Sequence, residues 1–521
     1  MGRPSSRPGL GKRSARFRWK RWLLFALLVG FAPGLAEART RYEEHVVALS
    51  VTYQAWDEDR PWAKMNPATR NASAVVIAGP FLLTRAQIVA NATLIQAERR
   101  GDAQTWTARV VHIDPEIDLA LIQVDEAAFF EGLRPVKIAK RIPTEGSVTS
   151  VRWNARQLEI SESRVSTIEV GLNRYGNVEH AFLEVRTDFA SGGWAEPSFD
   201  GAKLVGLTSS QEDQRARIVP AEVLRDYVER VAEGSSTSVP RLDLLWQNNQ
   251  DPSLTRYLGF EEEPRGILIR EVRGSGTACS VLESRDILLE LDGHEIDSIG
   301  NYLHPRYGNL RFTNLVAHRR PGEVIAARVF RDGREQEVEF ELKAYPSQLR
   351  RVPWRRDNSP PPYLVAGGLV FRELDGEFLR TWGSEWASNA PRNLAIQYYL
   401  YGHSTRPDQR RAIVLSSVLP DRYNIGYHDV ADMITTHVNG IPIDSVDDLV
   451  SAFAQPQTDA NGEPAYHVVR FAPNSYLAEL VLDARTFEEA SARIADAYGL
   501  PATVRTGPPE EPDIAFDCEA P

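Results

Sequence analysis

Short apolar segments recur at close spacing between residues 42 and 232, and this pattern constrains the fold more than any other feature of the sequence. Each segment alternates or is continuously apolar and is bounded by turn residues, which indicates strands of a barrel or sandwich. The segments form two successive groups, so we expect two β-barrels. They are Ala74–Ile77, Phe81–Thr84, Thr93–Glu98, Thr105–His112 and Leu119–Val124, then Val136–Ile138, Ser147–Val151, Leu158–Ser163, Phe182–Arg186 and Lys203–Thr208.

A helix is predicted to close this double-barrel unit. Pro220 suits the first helical turn, where a backbone N–H is not needed. The apolar residues that follow recur at helical spacing and would share one face. They are Val223, Leu224, Tyr227, Val228 and Val231.

The first 38 residues differ from the rest of the chain. Basic residues precede the apolar run Trp22–Leu35, and Ala36–Ala38 then offers small residues in a cleavage pattern. This order predicts an export signal and a location in the periplasm or cell envelope. An uncleaved membrane anchor is the alternative. The run is shorter than the roughly 20 residues of a spanning helix, so no stable membrane span is expected.

Charge and cysteine usage exclude several other classes of function. The formal net charge is −11, and no basic patch with interleaved aromatic residues occurs, so nucleic-acid binding is not expected. No Cys/His or carboxylate cluster has metal-ligand spacing, and we expect neither a metal nor another cofactor. Cys279 and Cys518 are too few for a disulfide framework. One long-range bridge stays open, and two unpaired thiols are the expectation.

Two segments of the double-barrel unit carry a pattern linked to catalysis. Phe81–Ala92 contains the order apolar, apolar, Thr, x, Ala, Gln87, and Asp118 opens the apolar segment Asp118–Val124. Both segments resemble the HtrA/Deg family of trypsin-fold proteases. The resemblance implies that Asp118 is the triad acid and that Gln87 replaces the histidine base. A carboxamide has no usable basicity near neutral pH, so Gln87 cannot take the proton of a serine nucleophile.

The same resemblance leaves two registers open for the nucleophile. Ser191–Gly193 can match the family's Ser-Gly-Gly, which deletes residues of the preceding oxyanion loop and leaves Ser191 as a relic nucleophile. Pro197–Asp200 can instead match the family's Pro-x-Phe-Asn, which puts Trp194 at the nucleophile position. Neither register keeps the oxyanion loop and the nucleophile together. Ser191–Gly193 is equally consistent with a flexible turn. His112 and His180 are weak candidates for a displaced base.

Residues 250–345 resemble a PDZ domain, on the strength of an apolar-Gly-apolar loop, the strand Gly266–Val272 and the segment Val281–His294. Backbone N–H groups of the loop are expected to converge on the terminal carboxylate of a peptide. The neighbouring strand edge is expected to accept that peptide as an extra strand. The peptide-binding residues predicted on this basis are Tyr257, Leu258, Gly259 and Phe260.

Four segments of the remaining chain, Tyr363–Phe371, Ile413–Pro420, Asn424–Val430 and His437–Ile443, resemble the second PDZ domain of the plant-type Deg proteases. A second PDZ-like domain is predicted at residues 363–485, and residues 486–521 form a C-terminal extension with an acidic, disordered tail. The expected protein is therefore mostly β. A signal peptide at 1–38 precedes a chymotrypsin-like double β-barrel at 42–232 and the two PDZ-like domains.

The favoured hypothesis is an exported HtrA/Deg-like pseudoprotease. It would bind unfolded proteins or peptide C-termini through its PDZ domains, with a chaperone, scaffold or regulatory role in protein quality control. The resemblance implies a homo-oligomer built from trimers. The alternative hypothesis is an active serine endopeptidase that uses Ser191 with a non-standard base. What separates the two is whether a base lies within hydrogen-bond reach of Ser191.

Overall fold

The structure is a computed structural model that describes residues 41–99, 104–154, 157–260, 263–274, 276–344, 347–356, 358–402, 410–473 and 475–507. The predicted signal peptide at 1–38 and the last part of the predicted C-terminal extension, 508–521, lie outside the described residues.

Six antiparallel strands close the first barrel in the order β1-β2-β3-β6-β5-β4. Two of the predicted segments, Phe81–Thr84 and Leu119–Val124, are strands with the predicted bounds. The first strand was not predicted from the sequence. A short helix, α1 (Ala86–Val89), follows β3. The strands are β1 (Val46–Tyr53), β2 (Ala68–Val76), β3 (Phe81–Thr84), β4 (Ala92–Glu98), β5 (Trp106–Asp114) and β6 (Leu119–Val124).

The second group of strands forms a seven-stranded sheet in the order β11-β8-β9-β10-β13-β12-β7. The first strand of this order, β11, also pairs with β12, which curls the sheet into a barrel-like unit with β7 outside the ring. The predicted closing helix is confirmed as α2 (Ala221–Glu233), which ends at Gly234 in the left-handed conformation. The strands are β7 (Lys137–Ile138), β8 (Ser147–Asn154), β9 (Gln157–Asn173), β10 (Val178–Arg186), β11 (Pro197–Asp200), β12 (Lys203–Glu212) and β13 (Arg215–Pro220).

One apolar core joins the two barrels and α2. Leu83 and Leu119 from the first barrel pack with Phe182 and Phe199 from the second and with Leu224 of the helix, all buried. The residues that follow β3, precede β6 and precede β11 meet beside this core, at the junction that we call the cleft between the barrels. The mostly β, trypsin-like fold predicted from the sequence is confirmed.

The third sheet has the order β14-β15-β16-β20-β21, with β17 on β16, and β18 and β19 pair as a separate hairpin. Tyr302 and Leu310 of this hairpin are buried in the core of the second barrel, which fixes the third unit against it. The elements are β14 (Leu244–Asn248), α3 (Pro252–Tyr257), β15 (Ile267–Val272), β16 (Ile287–Leu291), β17 (His294–Glu295), β18 (Asn301–His304), β19 (Gly308–Arg311), α4 (Asn314–Ala317), β20 (Val324–Arg331) and β21 (Arg334–Glu341).

The C-terminal sheet has the order β27-β28-β25-β24-β23-β22-β30, with β26 on β25 and β29 on β28. Its strands are β22 (Tyr363–Ala366), β23 (Leu369–Glu373), β24 (Ile413–Val418), β25 (Met433–Val438), β26 (Ile441–Pro442), β27 (Gln457–Thr458), β28 (Pro464–Phe471), β29 (Glu479–Asp483) and β30 (Val504–Arg505). Its helices are α5 (Gly376–Leu379), α6 (Trp386–Asn389), α7 (Arg392–Ile396), α8 (Val446–Phe453) and α9 (Phe487–Ala497), with a π-helix at Gln397–Tyr401.

A buried ionic cluster connects the first barrel to the C-terminal unit. Glu58 lies in the loop between β1 and β2, and its carboxylate accepts a hydrogen bond from Arg372 at 2.7 Å. Arg372, which is fully buried, also donates to the backbone oxygen of Glu58 at 2.6 Å. Arg356 pairs with both Glu58 and Asp375. These contacts hold the β1–β2 loop against the C-terminal sheet.

Cys279 is disulfide-bonded, so the expectation of an unpaired thiol at this position is wrong. Cys518 lies outside the described residues. Among the residues that the structure describes, no helix combines the length and the apolar character needed to cross a membrane.

Candidate functional site

Asp118 is a fully buried carboxylate at the start of β6. It has a positive φ of 59°, a conformation that aspartate tolerates better than most residues. Its Oδ1 accepts a hydrogen bond from the backbone N–H of Gln87 at 2.8 Å, and its Oδ2 accepts from Nε of Arg85 at 2.8 Å. A second Arg85 nitrogen, Nη2, also donates to Oδ2. The carboxylate that would orient a catalytic base is thus occupied by donors of its own chain.

Arg85 is the residue that sequence reasoning missed. It stands two positions before Gln87, and only 3% of its side chain is exposed. Beyond its ion pair with Asp118, it donates to the backbone oxygen of Gly193 and to Oε1 of Gln87, the latter at 3.2 Å. A guanidinium has donors only and does not lose its proton in proteins, so it cannot act as a base.

The ion pair between Arg85 and Asp118 is buried away from solvent. Burial raises the pKa of Asp118, while the charge of Arg85 and the N–H of Gln87 oppose that rise. Gln87 itself is exposed at the surface of the cleft, although its backbone is held by Asp118. The contact of Gln87 N–H with Asp118 brings the two residues together, and the side chain of Gln87 does not titrate.

The loop before β11 binds a carboxylate of its own. Oε2 of Glu196 accepts hydrogen bonds from the backbone N–H groups of Gly193 and Trp194, both at 2.9 Å. Glu196 is 2% exposed, and burial raises the pKa of its side chain, while these N–H groups oppose the rise. Two convergent N–H groups form the kind of donor pair that stabilises an oxyanion in acyl transfer. Here the pair already donates to a carboxyl group of the protein itself.

Ser191 lies outside this arrangement. Its residue is exposed, and its backbone oxygen accepts from Nη1 of Arg152 at 2.5 Å. Within the described ranges, no hydrogen bond joins Ser191 to Gln87 or to Asp118. The loop meets the first barrel through Gly193, which accepts from Arg85, and through Trp194, whose backbone oxygen accepts from the N–H of Ser73 at 3.0 Å. Ala195 is buried in the core of that barrel.

The two histidines considered as displaced bases serve other contacts. Nδ1 of His112 lies 3.0 Å from the hydroxyl of Tyr227 on α2, and burial lowers the pKa of His112. His180 is 3% exposed on β10, and burial lowers its pKa to about 4. Its Nδ1 lies 2.9 Å from the backbone oxygen of Ala181. Neither imidazole makes a hydrogen bond to Ser191 in the part of the chain that the structure describes.

The structure gives the predicted peptide-binding loop a different role. Helix α3 ends at Tyr257, and Gly259 follows with a φ of 83°. The N–H of Gly259 donates to the oxygen of Arg256 at 2.9 Å, and the N–H of Phe260 donates to that of Thr255 at 2.9 Å. This is the Schellman end of a helix.

The remaining two residues of that loop agree with this role. The N–H of Leu258 also donates back into the helix, to Leu254 at 3.0 Å, and Tyr257 is 76% exposed beside the guanidinium of Arg285. The expectation that N–H groups at Leu258, Gly259 and Phe260 converge on a ligand is therefore wrong.

A strand edge with an adjoining cavity lies elsewhere in the same unit. In the described sheet, β14 pairs only with β15, and its other edge borders a cavity of about 260 Å³ between β14 and α4. Asp243, at the turn into β14, has a φ of 50°. The signal missed in the sequence is Leu242-Asp-Leu244, the apolar-x-apolar loop with aspartate in place of glycine. Apolar residues that line the cavity include Leu242, Leu244, Trp246, Phe312, Val316 and Ala317.

The corresponding edge of the C-terminal unit is covered by the chain itself. Strand β30 pairs antiparallel with β22, with Arg505 opposite Tyr363 and Val504 opposite Leu364. Arg505 also stacks on Trp56 of the β1–β2 loop at 4.5 Å and donates to the oxygen of Pro61 at 2.9 Å. Strand addition at β22 is thus blocked. No group of three or more His, Cys, Asp or Glu side chains suited to a metal occurs among the described residues.

Comparison with known proteins gives matches to one protease family. The family described as a PDZ domain matches residues 352–505. The chain is 25% identical to the protease Do-like 2, chloroplastic, of Arabidopsis thaliana over 471 residues, which are 88% of this chain and 74% of that protein. It is 23% identical over 283 residues to a probable periplasmic serine endoprotease DegP-like of Marinomonas sp. (strain MWYL1), covering 52% of this chain and 56% of that protein. A solved structure, the HtrA-type protease AlgW with decapeptide, covers 60% of this chain and 98% of that chain, with 21% identity and a TM-score of 0.46.

Proposed function

We propose that this chain, an HtrA/Deg-type protein with a PDZ domain at residues 352–505, is a pseudoprotease that binds unfolded polypeptide without cleaving it. Its role would be chaperone-like holding, scaffolding or regulation in protein quality control. The observation that carries the proposal is the ion pair between Arg85 and Asp118, because it occupies the carboxylate that a base would need.

The lack of a proton acceptor at residues 85 and 87 supports the proposal. Serine proteolysis needs a group that accepts the hydroxyl proton and is itself held by a carboxylate. At this position Gln87 has no basicity, and the neighbouring guanidinium of Arg85 has no lone pair to offer. Loss of the base alone costs on the order of 10⁶ in turnover in the best-studied triad.

The other half of the cleft supports the same proposal. The N–H groups of Gly193 and Trp194 hold the buried carboxylate of Glu196, so a substrate oxyanion would have to displace it. The strand that begins at Pro197 pairs with β12, and Trp194 contacts the first barrel where Ser191 does not. These contacts favour the register in which Trp194 stands at the nucleophile position.

Peptide binding is the activity that remains. A free edge at β14 with an apolar cavity beside it has the features of a site that accepts an extended peptide as an additional strand. We place this site in a first PDZ-like domain at about 250–345, extended at its start to include β14. In the C-terminal domain, β30 covers the edge of β22. This domain would therefore contribute to oligomer assembly and not to peptide binding.

Location and assembly are further parts of the proposal. The basic and apolar pattern of residues 1–38 and the similarity to a probable periplasmic DegP-like protein support export. A trimer-based homo-oligomer is implied by the resemblance to the HtrA/Deg family. Light scattering coupled to size exclusion would measure the mass of the assembly, and a monomer would remove this part of the proposal.

The test is degradation of an unfolded substrate by full-length wild type, Ser191→Ala and Gln87→His. We expect casein to stay intact with all three proteins, because restoring the imidazole leaves Arg85 on Asp118 and Glu196 on the loop N–H groups. Suppression of casein aggregation by the same samples would show that the protein is folded and binds. Cleavage by wild type that is lost in Ser191→Ala would support the endopeptidase alternative and overturn the proposal.

A further inference from the structure

Cys279 lies in the loop that follows β15, two residues after Thr277. This loop packs on the chain that leads into β14, because the N–H and the hydroxyl of Thr277 both donate to the backbone oxygen of Arg241, at 2.9 and 3.1 Å. Cys279 is disulfide-bonded, and the sequence holds one other cysteine, Cys518. A bond between the two would tether the segment 508–521 beside the cavity at β14.

Three arginines meet at this end of the cavity, and we call Arg241, Arg273 and Arg350 the arginine corner. Nη2 of Arg241 lies 2.9 Å from Oε1 of Glu116. Asp243 lies 3.3 Å from Nη2 of Arg350 and 3.9 Å from Nη1 of Arg273. Two largely buried carboxylates thus face three guanidinium groups.

Two of these arginines keep a donor that no described residue satisfies. The Nε atoms of Arg241 and Arg273 are buried and have no hydrogen-bond partner within the described ranges. Glu271 lies 3.8 Å from Nε of Arg273, beyond hydrogen-bond distance, and 51% of its side chain is exposed. Buried donors are normally paired, and a carboxylate forms the stronger kind of hydrogen bond with a guanidinium. The arginine corner therefore has the donors to bind a further carboxylate.

The segment 508–521 carries the complementary charge. It contains five acidic residues and neither lysine nor arginine. Two of the acidic residues, Asp517 and Glu519, stand directly beside Cys518. A bond from Cys518 to Cys279 would therefore bring two carboxylates to the loop that packs on the arginine corner. The five acidic residues are Glu510, Glu511, Asp513, Asp517 and Glu519.

The described chain ends within reach of this place. A Cβ on Gly507 would lie 4.0 Å from Oε1 of Glu373, whose Oε2 lies 3.4 Å from Nε of Arg411. Arg411 donates to the backbone oxygen of Arg350 at 3.2 Å, so a short series of contacts connects Gly507 to the arginine corner. Cys518 follows Gly507 by 11 residues. An extended chain of that length spans up to about 36 Å.

We propose that the segment 508–521, tethered by a disulfide between Cys279 and Cys518, docks its carboxylates on the arginine corner. The tether holds the segment at a high effective concentration, so that a few charge contacts suffice. Because Arg241 and Arg350 also line the cavity beside β14, the docked segment would limit access to that cavity. This last consequence rests on the proposed peptide-binding function, and the docking itself does not.

The tether makes the docking dependent on redox conditions. Two thiols become one disulfide by exchange with an oxidised disulfide such as that of glutathione, which takes up the two electrons and two protons and leaves as two thiols. Reduction reverses the exchange and leaves the segment attached through Gly507 alone. The effective concentration of its carboxylates at the arginine corner then falls.

The test compares the full-length protein oxidised with glutathione disulfide and the same protein reduced with a phosphine. Peptide mapping without reduction should show Cys279 joined to Cys518 in a chain that runs as a monomer on a denaturing gel. Hydrogen exchange in the segments 241–247 and 276–282 should be about fivefold faster after reduction, because the segment 508–521 no longer covers them. Cys518→Ser should show the faster exchange under both conditions.

Asp517→Asn combined with Glu519→Gln separates the charge contacts from the covalent tether. This variant keeps both cysteines, and its exchange in the oxidised state should equal that of reduced wild type within about twofold. Glu510→Gln combined with Glu511→Gln is the matched control, since it removes the same charge farther from Cys518, and it should keep the slower exchange.

Three results would overturn the inference. They are a free thiol at Cys518, a disulfide that joins two chains, and slow exchange that survives either reduction or the loss of the charges at Asp517 and Glu519. Fluorescence anisotropy of labelled casein on the same samples tests peptide binding separately. If casein binds in neither redox state while the exchange changes as expected, the docking stands and the proposed peptide-binding function is wrong.

Discussion

Removal of Arg85 tests whether the cleft is held by a buried ion pair. Arg85→Met keeps most of the side-chain volume but withdraws both donors from Oδ2 of Asp118 and the contact to Gly193. The side chain of Asp118 is 0% exposed and would keep only the N–H of Gln87. Breaking a buried pair by removing one partner costs about 3–5 kcal/mol, and we expect this loss in the stability of the double-barrel unit.

A double-mutant cycle separates the pair from general packing effects. Asp118→Asn is the partner variant, because asparagine tolerates the positive φ at this position. The double variant has neither buried charge, so its loss should be smaller than the sum of the single losses by about 2 kcal/mol.

Hydrogen exchange followed by mass spectrometry is the suitable assay for this cycle, since a multidomain chain does not unfold in one step. Exchange in the segments 81–90 and 117–124 reports directly on the cleft. A loss below about 1 kcal/mol for Arg85→Met, or additive losses in the cycle, would refute the account of a closed, charge-paired cleft.

Two further perturbations follow from buried charges. Burial lowers the pKa of His180 to about 4 from an ordinary value of 6.5. The unfolded state therefore binds the proton first, and stability should fall by roughly 3 kcal/mol as the pH drops from about 6.5 to 4. His180→Phe should flatten this dependence when stability is measured by hydrogen exchange in the segment 178–186, corrected for the intrinsic exchange rate at each pH. An unchanged slope would contradict the assignment. Arg372→Met should remove one of the two cations that Glu58 and Asp375 share, and leave Arg356 as the other. It should raise hydrogen exchange in the loop 54–67, with Arg372→Lys intermediate because lysine keeps the charge and loses the fork. If hydrogen exchange in the loop 54–67 of Arg372→Met equals that of wild type, the ionic cluster does not hold this loop against the C-terminal sheet.

The barrel strands were accessible to sequence reasoning where both faces are buried. Phe81–Thr84 and Leu119–Val124 are continuous apolar runs between turn residues, and the structure has strands with those bounds. Strands such as β1 (Val46–Tyr53) and β13 (Arg215–Pro220) were missed. Their apolar residues are interrupted by polar ones whose burial depends on neighbours far away in the sequence.

The cleft was only partly predictable for the same reason. The resemblance located Gln87 and Asp118, which the structure brings together through one hydrogen bond. The part played by Arg85 could not be read from the sequence, because its partner Asp118 lies 33 residues away. Glu196 was missed because its role depends on the local turn that points two N–H groups at its own side chain.

The peptide site shows how one sequence pattern serves two structures. Tyr257–Phe260 has the apolar-Gly-apolar order of a binding loop, yet glycine at that place is also the usual end of a helix. The helix signal just upstream, Asp251 followed by Pro252, decides in favour of the second reading. Before β14 the loop conformation is present without its usual residue. Asp243 adopts a positive φ at a position where a glycine would have made the loop recognisable in the sequence.

The most direct measurement of the central claim is reaction of the full-length protein with a fluorophosphonate probe, followed by intact mass spectrometry. An activated serine would form a covalent adduct, and peptide mapping would locate it. The account predicts an unmodified mass after prolonged exposure. Among the described residues, neither Gln87 nor the two candidate histidines, His112 and His180, make a hydrogen bond to Ser191, and the loop N–H groups hold Glu196. A stoichiometric adduct at Ser191 would contradict it.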